Sequence, residues 1–288
     1  MQTRKRSDDC KRPAENQESP QGKVMQRSTF LGCLACAAGA TELAGIRPAA
    51  ALDEKAVGEE VYDDLRDSGD LLFDSPFYEH LNEVGQLIAA SVGKRYEYPI
   101  RFYIVKGDSP NAFSVPGGFI YVNEPLLRMV SNRDELGGVL GHECGHMIEH
   151  HVAKRMAKLE TMGILSTIGT IVTSVLVPGV GGILASNVAS YAGGMLTEGV
   201  DANVSRHIES QADWVGSEIE AETGVLNPWG MVWFFEKMTR EFGPGQNYWL
   251  RNHPLDSTRI AGLEQHFKDN PQLFGKFKDT EAVDTIYW

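Results

Sequence analysis

The chain has 288 residues, of which 42% are hydrophobic and 23% charged. That excludes a largely disordered or collagen-like protein and supports a core that needs no disulfide or metal merely to fold. Its 27 Lys and Arg face 39 Asp and Glu, a formal charge of −12. A basic nucleic-acid footprint is therefore not expected, and most of the surface would be repelled by an anionic membrane.

The amino-terminal segment differs in character from the rest. Residues 1–28 are polar and mixed in charge, and Thr29–Ala40 is an uncharged, weakly apolar run. Ala49 and Ala51 then satisfy the small-x-small rule for signal peptidase. Residues 1–51 read as an export signal with a long n-region, and Met25 offers an alternative start. A lipoprotein signal at Cys33 is disfavoured by the short apolar segment before it, and a transit peptide by the acidic residues. Cleavage leaves Cys144 as the sole cysteine, so no intramolecular disulfide is expected.

Residues 52–288 carry no repeat and no linker, which predicts one domain. Apolar residues at helical spacing predict helices near 54–70 and 77–94. Residues 99–106 alternate and are rich in β-branched and aromatic types, which predicts a strand. Asn111–Val115 and Phe119–Val122, joined by Pro116-Gly117-Gly118, predict a hairpin. A long helix is expected from Asp134 to about Lys158, with Asp134 as N-cap. Residues 163–197 carry no charge. Pro178-Gly179 and Gly181-Gly182 divide them into pieces shorter than the roughly 20 residues that span a bilayer. An apolar helical hairpin is expected there, covering the active site or touching a membrane surface; a plain buried helix pair is the competing reading.

The expected long helix contains His142-Glu143-Cys144-Gly145-His146. Residues four apart on a helix lie one above the other, so two imidazoles can reach one metal at roughly 2 Å. Glu143 beside them can take a proton from water without being a ligand. A polar helix face that matches by chance is the competing reading. A site of this kind needs a third protein ligand, and Ser205–Asp213 supplies candidates. Glu209 can complete a zinc site, and Asp213, four residues on, can hydrogen-bond the remote nitrogen of a ligating histidine. The alternative is a solvated acidic face. His207 is a rival ligand but points nearly opposite to Glu209. His150 lies about 12 Å from His142 along the helix axis, too far to share a metal. Cys144 is expected to be a small buried hydrophobe, and His80, His151 and His266 are assigned to the surface.

Together these residues resemble peptidase family M48, the HtpX, Oma and prenyl-protein protease group of gluzincins, most closely its periplasmic BepA-like members. The resemblance runs from about Lys55 to Leu263. Its motifs are Asn111–Val122, Asp134–His146 with His150, Glu209-Ser-Gln-Ala-Asp213, and His253-Pro254 followed by Arg259. The departures are Cys144, where an aliphatic residue is usual, and Asn252, where Thr is common. The resemblance implies an α+β, zincin-like fold, mostly helical with a small antiparallel sheet. It also implies one zinc held by His142, His146 and Glu209, with Glu143 as general base. His253 would approach the zinc, either stabilising the oxyanion or acting as a reversible fourth ligand. Asn111, Ala112 and Phe113 would lie on an edge strand that receives an extended peptide by strand addition.

The resulting expectation is an exported zinc endopeptidase of a Gram-negative periplasm, acting on protein or peptide substrates in envelope protein quality control. No nucleic-acid partner is expected, and peripheral membrane contact is assigned to 163–197. A chaperone-like or self-blocked protein that holds extended clients is the alternative.

Overall fold

The computed structural model describes residues 53–161, 202–243, 253–255 and 257–280. All of them belong to the compact unit Arg47–Trp288. The expected export signal at 1–51 and the apolar hairpin at 163–197 lie outside the described residues. Among those described, no helix is long and apolar enough to cross a membrane.

The chain opens with α1 (Glu54–Asp67), capped by the Asp53 side chain, which accepts from the Ala56 amide at 3.0 Å. Helix α2 (Tyr78–Val92) buries Leu81, Val84, Ile88 and Val92 along one stripe, the spacing that makes an amphipathic helix sit on a core. Strands β1 (Arg101–Val105), β2 (Ala112–Val115) and β3 (Phe119–Asn123) follow. The remaining elements are helices. These are α3 (Glu124–Leu127), α4 (Arg133–Ile148), α5 (His151–Thr161), α6 (Ala202–Thr223), α7 (Trp229–Phe242), α8 (Ser257–Asp269) and α9 (Pro271–Phe274).

The expected hairpin is present, with Phe113 paired to Tyr121 and Val115 to Phe119. Its turn needs Gly117 and Gly118, at φ 91° and 92°, backbone that L side chains rarely adopt. The sheet is mixed rather than wholly antiparallel, in the order β1-β3-β2, because β1 pairs in parallel with β3. Asn123 fixes this crossing. Its Nδ2 donates to Ser109 O at 2.7 Å, and its Oδ1 accepts from the Asn111 amide at 2.9 Å and the Leu126 amide at 3.0 Å. One side chain thus holds the β1–β2 loop across the end of β3 and caps α3.

Strand alternation divides the core. Val105, Phe113, Val115, Phe119 and Tyr121 pack with Val57, Val61 and Leu65 of α1. Ile104, Ala112, Ile120 and Val122 face the opposite way, into the main core with α2, α4 and α7. A sheet buried on both faces is a rigid floor for whatever lies at its edge.

Helix α4 is the central pillar, buried at every residue from Asp134 to Met147. Two expectations are corrected here. Its N-cap is Asn132, whose side chain accepts from the Glu135 amide at 2.8 Å, while Asp134 accepts from the Asn227 amide at 2.9 Å and ties α4 to the α6–α7 turn. The helix also ends at Ile148 instead of running on to Lys158, because His150 takes a left-handed φ of 52° and α5 starts afresh. Helices α4 and α6 approach unusually closely. A Cβ on Gly145 would lie 2.4 Å from Ala212 O, and one on Gly141 2.8 Å from Gly216 O. Only hydrogen at these positions lets the two backbones come near enough for their polar side chains to meet.

Candidate metal centre

The close crossing brings the two four-residue spacings into one buried cluster. His142 and His146 of α4 turn their Nε2 atoms toward each other at 3.1 Å. Glu209 of α6 places Oε2 3.5 Å from His142 Nε2 and Oε1 3.6 Å from His146 Nε2. His253, just before α8, sets Nδ1 3.1 Å from His142 Nε2 and 3.2 Å from Glu209 Oε2. One ligand atom from each of these four buried residues lies within 4.8 Å of the others. Bonds of about 2.0 Å in a tetrahedron separate ligand atoms by roughly 3.3 Å. The donor set is therefore of the right type, and close to the right spacing, for a zinc ion. Glu143 is buried beside it, with His253 Nε2 3.5 Å from Oε1, and that oxygen has no hydrogen-bond partner among the described residues. A buried carboxylate oxygen without a donor is costly.

Arg259 of α8 organises the back of the cluster. Its Nε donates to Asp213 Oδ2 at 2.8 Å and its Nη2 to Asp213 Oδ1 at 2.7 Å. Its Nη1 lies 3.1 Å from Glu209 Oε2 and donates to the carbonyls of His253 and Pro254. The guanidinium also sits 4.4 Å from the ring centre of Phe235. Asp213 Oδ1 in turn meets His142 Nδ1 at 2.9 Å, so a chain Arg259–Asp213–His142 orients one imidazole.

The electrostatics follow from these contacts. Burial opposes ionisation of Glu209, but His253, Arg259 and His146 outweigh it and hold the carboxyl well below the usual range. Asp213 is also lowered against burial, through Arg259 and His142. Burial opposes the charged form of His142, yet hydrogen bonds to Asp213 and Glu209 push its pKa up to about 9. Burial drives His146 the other way, well below its ordinary value. Burial raises the Cys144 thiol, which sits in the core cluster as a small hydrophobe.

Some histidines occupy other places than the sequence suggested. His151 is half-buried, and its Nδ1 lies 3.0 Å from His146 Nδ1, because the break at His150 turns it back toward the site. His266 is half-buried, stacked on Trp214 and packed against Phe274; His80 is half-buried too. His207 is exposed, away from the cluster. His150 Nδ1 meets Glu54 Oε1 at 2.6 Å and takes no part in the donor set. Asn111, Ala112 and Phe113 do lie at the start of the edge strand, but all three are buried, at 7%, 0% and 5% exposure. The organising role of Arg259 was not legible beyond its place in a motif. A lone basic residue six positions after His253 is a weak signal by itself.

The chain matches peptidase family M48 over residues 78–266. It is 26% identical over 217 residues to the beta-barrel assembly-enhancing protease of Yersinia pestis, covering 72% of this chain and 42% of that protein. It is 28% identical over 177 residues to the metalloprotease LoiP of Escherichia coli K12, covering 62% and 65%. It is 26% identical over 185 residues to the mitochondrial metalloendopeptidase OMA1 of Saccharomyces cerevisiae, covering 62% and 49%. The match thus spans less than half the length of the first of these relatives.

Proposed function

This chain belongs to peptidase family M48, and on that premise we propose that it is a zinc-dependent endopeptidase acting on extended segments of envelope proteins. The observation that carries the reading is the convergence of His142, His146 and Glu209 on one buried point with Glu143 alongside. The two histidines and Glu209 are the residues that would hold the metal. Bound there, a zinc ion would supply Lewis acidity toward a peptide carbonyl and toward water. Glu143 takes the proton from the attacking water and passes it to the leaving amine, as a positioned carboxylate can. Arg259 and Asp213 keep His142 aimed at the metal.

His253 has two chemical options. A neutral imidazole among the donors can occupy a fourth position and exclude water and substrate, or it can donate to the developing oxyanion. Its Nδ1 lies among the ligand atoms, which favours a blocking position that substrate displaces. An extended substrate would add to β2, whose only strand neighbour among the described residues is β3. Export rests on the amino-terminal pattern, and a part in envelope protein quality control is supported by the name of the beta-barrel assembly-enhancing relatives.

The test pairs elemental analysis with casein digestion. The wild-type chain should carry one zinc and cleave casein. Glu143→Gln should keep the zinc and lose about a hundred- to ten-thousand-fold in rate. Full zinc occupancy in His146→Ala, or full turnover in metal-loaded Glu143→Gln, overturns the assignment.

A further inference from the structure

We propose that His151, relayed to Gln211, is the positioning residue for His146, accepting a hydrogen bond from the Nδ1–H of that ring and holding its Nε2 toward the metal. The proposal rests on the metallopeptidase reading above and adds two residues to it.

On an unbroken helix a residue five positions on lies about 140° around the axis, so His151 would point away from His146. The chain avoids this at His150, the one non-glycine residue with positive φ among those described, at 52°. Histidine tolerates the left-handed region better than most residues, yet still at a cost, and such strain persists where surrounding contacts over-determine it. Here the contacts are present. The His150 amide donates to Met147 O at 2.8 Å, the Lys154 amide donates to His150 O at 2.8 Å, and the His150 ring meets Glu54 Oε1. The consequence of the break is that α5 restarts with the His151 ring against His146, centroids 5.1 Å apart and planes at 71°.

One arrangement of protons fits both contacts of His151. A ligating nitrogen must offer its lone pair, and Nε2 of His146 faces the convergent donors. Its Nδ1 then carries the proton and needs an acceptor. His151 Nδ1, 3.0 Å away, is that acceptor. A neutral imidazole that accepts at Nδ1 carries its own proton on Nε2, and that atom lies 3.4 Å from Gln211 Oε1, an acceptor. Gln211 sits on α6 between Glu209 and Asp213. The helix that offers the third donor therefore backs both imidazoles, His142 directly through Asp213 and His146 through an uncharged relay.

The experiment measures zinc affinity by competition with a calibrated chelator, on the full chain carrying Glu143→Gln to suppress self-cleavage. His151→Phe, which keeps the ring but removes the acceptor, should lose about ten- to a hundred-fold in affinity, the usual effect of losing a partner behind a ligand. His151→Asn, whose Oδ1 can stand where Nδ1 stood, should recover most of it. Gln211→Ala should show a smaller loss. In the zinc-loaded protein the His146 Nδ1 proton resonance should be present in the parent and His151→Asn, and lost to solvent exchange in His151→Phe. A purely structural role would move folding stability without this pattern of rescue. Parent-like affinity in His151→Phe, or equal losses in His151→Phe and His151→Asn, overturns the proposal. Failure of the parent itself to bind zinc overturns instead the reading on which it rests.

Discussion

Asp213 and Glu220 lie seven residues apart on α6, on the same face, both against α4 and both buried, at 2% and 0% exposure. Their surroundings differ. Asp213 receives two hydrogen bonds from Arg259 and meets His142, and is held ionised against burial. Glu220 has no hydrogen-bond partner for either oxygen among the described residues and lies near Gly137. Burial pushes its carboxyl well above the usual range, and nearby Asp134 adds to that. Burial by itself therefore does not set the charge of a carboxyl; the cation supplied by another element does. At one end of the α4–α6 crossing two carboxylates are held in their charged form by a cation, and at the other a carboxyl whose ionisation is opposed is sealed in the core.

The comparison can be broken most severely at Arg259. Arg259→Met leaves Asp213 and Glu209 as buried charges without their cation, and removing one partner of such a pair costs about 3–5 kcal/mol. Thermal unfolding and zinc titration should both show the loss. Arg259→Lys should recover little, since a point charge cannot reproduce the two-pronged contact. Parent-like stability in Arg259→Met would mean the carboxylates are not held by it. A smaller effect is expected at His253. If it blocks the site, His253→Ala should raise peptide turnover severalfold at limiting substrate with zinc content unchanged. A drop in turnover with zinc retained would assign it to the oxyanion instead.

The smallest effect is expected at the far end of α6. A carboxyl whose folded pKa is raised favours folding while protonated, so its contribution is complete below the unfolded value near 4.5 and is lost as pH rises. Glu220→Gln cannot ionise and should escape that loss. Its melting temperature should exceed that of the parent at pH 8, and the gap should close as pH falls toward 4. A gap independent of pH would show that Glu220 is already solvated or paired.

The sequence by itself determined the local chemistry. The spacing of His142 and His146, and of Glu209 and Asp213, follows from helical geometry, and the hairpin follows from Pro116-Gly117-Gly118, because both depend on neighbours within a few residues. It also marked Cys144 as a core residue. Tertiary structure decided what depends on distant elements meeting. The mixed sheet comes from Asn123 holding a loop across the end of β3. The end of α4 at Ile148 comes from Glu54, 96 positions before His150, supporting a left-handed residue. That break carries His151 from an expected surface position to the back of His146. Arg259 gains its role only because α8 packs against α6 and aims a guanidinium at two carboxylates. Periodicity reports which face of one helix is buried; it carries no information about which charge another helix will bring to that face.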